Sequence, residues 1–92
     1  MIFEAGEILL RRGLVNESQL MESRAAANGG DVGAQYLLAS LYESGDGVSQ
    51  DWRLARYWYE AAARNGDEAA PGKVREMDAR LAAESGGVRE RP

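Results

Sequence analysis

The sequence predicts an all-α protein: a short α-solenoid of helical hairpins, with about five helices and no strands. Three observations carry that expectation. The chain nearly repeats itself: residues 25–34 and 61–70 agree at six of ten positions, an offset of 36 residues that suits a helical-hairpin unit. Apolar residues recur at spacings of three and four along most of the chain. Val and Ile are scarce, Thr is absent, and alanine is heavily used, a composition that favours close helix packing over sheets.

The first helix is expected over Ile2 to Arg12, where Ile2, Ala5, Ile8 and Leu9 share a face before Gly13. The second follows Asn16, a good N-cap, and runs to the Gly29–Gly30 stop. The third is capped by Asp31 and carries Ala34, Leu38, Leu41 and Tyr42 as an apolar stripe, ending at "GDG" 45–47. The fourth starts near Asp51 and ends at Asn65–Gly66, with Trp52, Ala55, Trp58 or Tyr59, and Ala62 turned inward. The fifth is expected from Asp67 to about Glu84, with Val74, Met77 and Leu81 on its apolar side. Pro71, its fifth residue, falls late enough in the opening turn to cost stability. The stretch "SGGVRERP" (85–92) has no periodicity and is expected to be disordered. Residues 1–84 are therefore read as one domain: 2–30 a degenerate repeat, 31–66 a full repeat, and 67–84 a C-terminal capping helix.

Composition narrows the function. The formal net charge is −4, which argues against nucleic acid and anionic membrane surfaces, both of which need a positive patch. There is no Cys and no His, so disulfides, the usual zinc, copper and haem sites, and Cys–His or Ser–His–Asp catalysis are excluded. The N-terminal residues resemble neither a secretory signal nor a membrane span, which makes cytoplasmic the default location. No cofactor, metal or catalytic residue is expected. Glu43, Asp46 and Asp51 lack EF-hand spacing and read as turn and cap residues. Asp67 and Glu68 read as a helix cap and a dipole partner.

The segment Ala34–Ala70 resembles a Sel1-like repeat, a relative of the tetratricopeptide repeat. The resemblance rests on Ala34, Leu38, Ala39, Tyr42, Gly45, Gly47, Val48, Asp51, Ala55, Trp58, Tyr59, Ala62, Ala63, Gly66 and Ala70. Ala39 stands where that family usually has Gly, and Leu54 where Lys is common. Residues 2–30 look like a worn copy, in which Gly13, Ala26, Ala27 and Gly30 fit while Glu22 and Ser23 occupy the Trp–Tyr positions. The resemblance implies a right-handed solenoid, a non-enzymatic role, and an adaptor or regulator, for the most part bacterial, that binds a peptide or protein partner.

In the resembling families the first helix of each hairpin lines a concave groove. That makes Glu4, Ile8, Arg11, Tyr36, Ser40, Glu43 and Glu76 the candidate groove residues. The competing reading is a solvated face with Tyr36 and Ile8 half-buried. Arg53 and Tyr57, on the far side of the fourth helix, form a weaker second patch. Two narrower functions stay open beside the adaptor: an immunity-type inhibitor of a toxin or enzyme, and a homo-oligomeric scaffold whose end faces pair in a homodimer.

Overall fold

The computed structural model describes residues 17–89. Among them are four helices and no strand: α1 (Glu17–Asn28), α2 (Val32–Ser44), α3 (Trp52–Arg64) and α4 (Ala70–Arg89). The expected first helix, with Glu4, Ile8 and Arg11, lies outside the described residues, as does the Asn16 cap. Each helix packs on the next in chain order, α2 on α1, α3 on α2 and α4 on α3.

The sequence repeat is a repeat of backbone geometry. At the joint between α1 and α2, the Gly30 N–H donates to the Ala27 carbonyl (3.1 Å) and the Asp31 N–H to the Ala26 carbonyl (3.0 Å). Thirty-six residues on, the Gly66 N–H donates to Ala63 (3.1 Å) and the Asp67 N–H to Ala62 (2.9 Å). Gly30 and Gly66 hold φ of 96° and 104°, angles that side chains resist, which is why glycine recurs there. Each joint then closes on its aspartate. The Asp31 carboxylate accepts from the Ala34 N–H at 2.8 Å, and that of Asp67 from Ala70 at 2.7 Å.

Between α2 and α3 the chain turns differently. Gly45 ends α2 in the left-handed region (φ 83°), its N–H on the Leu41 carbonyl, with only 3.2 Å between a Cβ built there and that of Gln50. Asp51 starts α3 by accepting from the N–H groups of Arg53 and Leu54. Val48 packs from this loop against the core formed by Leu20, Ala27, Leu38 and Leu41.

A second core joins the last three helices through Ala39, Ala55, Tyr59 and Met77, all at most 1% exposed. Trp58 and Tyr42 are half-buried and touch both cores. Of the pair left open by periodicity, Tyr59 is the fully buried member.

α4 departs from expectation at both ends. Its regular part begins at Ala70, not Asp67, so Pro71 is its second residue. Proline has no N–H to close a turn on the Asp67 carbonyl, and residues 68–69 form a bend under the Asp67 cap instead. The helix also runs on to Arg89, past Glu84, over residues 85–89 of the segment expected to be disordered. Extending a formed helix costs far less than nucleating one, so weak helix formers can follow.

One buried polar side chain bridges the two joints. Gln35, 4% exposed, donates through Nε2 to the Ala27 carbonyl (3.0 Å) and accepts at Oε1 from the Asn65 amide (3.0 Å). The end of α1 and the end of α3 are thereby held to α2 by a satisfied pair of hydrogen bonds.

Candidate functional site

The described groove candidates come from α2 and α4. Tyr36, Ser40 and Glu43 lie along α2, and Glu76 lies on α4. Tyr36, Ser40 and Glu43 are partly buried, while Glu76 is exposed. An open cleft of about 460 Å³ lies here. Ser40, Glu43 and Ser44 of α2 form one wall and Arg80 of α4 another, with Asp46 and Gln50 from the loop and Trp52 closing the end. Two of the candidates, Ser40 and Glu43, thus line a shared concavity. Tyr36 and Glu76 are not among its lining residues.

Tyr36 is committed to the core. Its ring meets that of Tyr59 edge-on, with centroids 5.1 Å apart. This agrees with the reading in which Tyr36 is half-buried, and Tyr36→Ala therefore perturbs packing as well as any surface it presents.

Glu43 is tied inward. Its Oε1 accepts from the Tyr59 hydroxyl at 2.6 Å, and Lys73 of α4 donates to Oε2 at 3.2 Å. Lys73 donates also to Glu76 (3.0 Å), and its ammonium lies 5.5 Å from the centroid of the Tyr59 ring. Burial alone would raise the Glu43 carboxyl. The hydrogen bonds from Tyr59 and Lys73, with the charges of Lys73 and Arg80, outweigh it and hold the group below its ordinary 4.5. Burial would likewise lower Lys73, but its bonds to Glu76 and Glu43 win and raise it. Tyr59 is pushed far up, first by burial and then by the carboxylate its hydroxyl serves.

The sign of the linkage follows. A carboxyl depressed in the folded state stabilises the fold fully above its unfolded value and loses that contribution as pH falls through the folded value. At about pH 7 Glu43→Gln is expected to lower stability by about 1–3 kcal/mol, because two charge-assisted hydrogen bonds lose their acceptor charge. Urea denaturation should show the gap between parent and variant closing as pH drops below the ordinary 4.5. A gap that stayed constant down to about pH 2.5 would contradict the assignment.

Arg80 and Trp52 were not singled out for the groove by the sequence. The Arg80 guanidinium lies over the Trp52 indole, 5.4 Å from its centroid. No local signal announces this pair, because 28 residues and a full helix separate the two positions. Trp52 also borders a smaller depression, about 240 Å³, that includes Arg53 of the second patch with Leu81 and Glu84. Tyr57, the other member of that patch, is 54% exposed and packs edge-on against Trp58.

Asp46 accepts from the Ser44 hydroxyl and Asp51 caps α3, so the acids of "ESGDGVSQD" are each engaged within the fold. Among the described residues no group of three or more acidic side chains is placed to hold a metal ion. No helix among them is long and apolar enough to cross a membrane.

Successive antiparallel helices, joined by geometrically repeated turns and flanking a side cleft, define a helical-hairpin repeat. Residues 32–67 match the family model described as Sel1 repeat, and the chain carries a Sel1 repeat there. Sel1 repeats are a non-catalytic fold that mediates protein–protein interaction. The chain is also similar to the chitin synthase regulator SKT5 of Saccharomyces cerevisiae, 44% identical over 57 residues. That stretch is 62% of this chain and 8% of the yeast protein's length. No solved structure matches the chain significantly.

Proposed function

We propose that this chain is a non-enzymatic adaptor or regulator that binds a peptide or protein segment in the cleft between α2 and α4. The observation that carries the reading is the cleft itself, an open concavity beside a Sel1 repeat, with Trp52 and Arg80 at its edge. Trp and Arg are the residue types that most often anchor protein interfaces. The yeast relative is by name a regulator of an enzyme, which suits a module that acts through another protein. Net charge of −4 favours a protein partner over nucleic acid or an anionic membrane. The bacterial setting rests on the family resemblance, and the yeast match places a related sequence outside bacteria.

Filling the cleft tests the proposal. Ser44 is exposed at its wall, so Ser44→Arg obstructs it without touching either core. Partners captured by the parent chain should bind Ser44→Arg at least about tenfold more weakly, a loss of about 1.4 kcal/mol. Tyr57→Ala, on the other face, should bind normally. The reverse pattern, with Tyr57→Ala impaired and Ser44→Arg intact, moves the interaction to the second patch.

A further inference from the structure

We propose that α4 is a strap held against the hairpin α2–α3 chiefly by one largely covered polar latch, Glu43–Tyr59–Lys73, so that it can release while the rest of the described fold persists. The latch joins three helices through one carboxylate. Glu43 comes from α2, the Tyr59 hydroxyl that donates to it from α3, and the Lys73 ammonium from α4. Lys73 and Glu43 are both largely covered, with side-chain exposures of 23% and 21%, so the pair is shielded from competing water and salt. Nothing comparable crosses between α4 and α2 elsewhere among the described residues. The other polar ties of α4 run to α3: Asp78 to Arg56, with Asp78 half-exposed, and the Arg80 guanidinium over the Trp52 indole.

The apolar hold on α4 is narrow. Among residues 70–85, Met77 and Ala70 are the fully buried hydrophobic residues, and Val74 and Leu81 are half-covered. α2, by contrast, buries Leu38, Ala39 and Leu41 and is packed from both sides. Elements with few buried apolar contacts occupy the low-stability end of a protein's local opening reactions. α4 fits that description, and the latch is what raises its opening energy.

Release would have a consequence at the cleft. Among the described residues Arg80 is the wall residue from α4, and Glu43 lines the same cavity while it holds Lys73. Opening α4 therefore removes one wall and leaves the Glu43 carboxylate of the other with Tyr59 as its partner and without Lys73. The latch stands whatever the cleft binds.

Native-state amide hydrogen exchange reads the strap directly. In Lys73→Met, which keeps the stem and removes the ammonium, amides of residues 74–84 should exchange about tenfold faster. In parent and variant alike, amides of residues 32–42 should stay better protected than those of residues 74–84 and show a steeper urea dependence of exchange, because α4 opens without them. Tyr59→Phe should likewise speed exchange in α4 while keeping the difference in urea dependence between the two segments, which guards against a packing defect peculiar to position 73. Arg75→Ala, on the exposed side of α4 and outside the latch, should change nothing. One shared urea dependence for both segments would show that α4 opens only with the whole fold, and unchanged exchange in α4 would show that Met77 alone holds it. Either result overturns the proposal.

Discussion

Tyr59→Ala is expected to leave the chain largely unfolded at temperatures where the parent is folded. Tyr59 is 1% exposed and heads the fully buried side chains by volume, with α2 and α4 packed on either side of it. Removing a buried aromatic ring costs about 3–5 kcal/mol, part in lost transfer energy and part in the cavity left behind. Total stability for a domain of this size is on the order of 5–15 kcal/mol, so the change consumes a large share of it. The substitution also takes the hydroxyl from Glu43, stranding a partly buried carboxylate with Lys73 as its remaining partner. Thermal melting by circular dichroism should show a drop of more than about 12 °C. Tyr59→Phe should fall between the two, because it keeps the ring and loses only a charge-assisted hydrogen bond worth about 1.5–3 kcal/mol. A Tyr59→Ala protein within about 1 kcal/mol of the parent would mean that the junction of the last three helices is not the core described above.

The second large effect comes from making a residue bigger. Ala39 and Ala55 are both 0% exposed and belong to one core cluster, on α2 and α3. The methyl groups are as much as the space accepts. Ala39→Leu and Ala55→Leu each force a helix outward, at about 1–3 kcal/mol, and the pair should cost less than the sum because the first displacement makes room for the second. Ala39→Gly should cost about 1–2 kcal/mol, from the looser helix and the loss of one buried methyl group. Chemical denaturation of the four variants decides the point. If Ala39→Leu proved neutral, close approach of α2 and α3 would not explain the small residues.

The sequence was most legible where one residue type serves one geometric need. Asp31, Asp51 and Asp67 each cap a helix start, and Gly30, Gly45 and Gly66 each hold a positive φ. The stripe Leu38, Leu41 and Tyr42 faces the cores as its spacing predicts. Local rules were weaker where partners are distant in the chain. Glu43 has the spacing of a groove residue, yet it is drawn to Tyr59 and Lys73, 16 and 30 positions away. Periodicity places a side chain on a face and does not say which neighbour competes for it. Gln35 was likewise silent: it reads as an ordinary polar helix residue, and only its two distant partners explain its burial. The end of α4 was misplaced because "SGGVRERP" carries no periodicity, whereas an established helix propagates through weak formers more readily than it starts.

The matched joints at Asp31 and Asp67 give the chain a natural unit of length. The backbone and capping bonds of each joint are made within a few residues on either side of the aspartate, and the one longer tie, through Gln35, is itself placed just after the first joint. Cutting at one aspartate and rejoining at the other would splice like onto like. A gene encoding such a chain can therefore gain or shed a whole hairpin in a single recombination event, with no new turn to invent, and growth in steps of 36 residues is the inexpensive direction for its evolution.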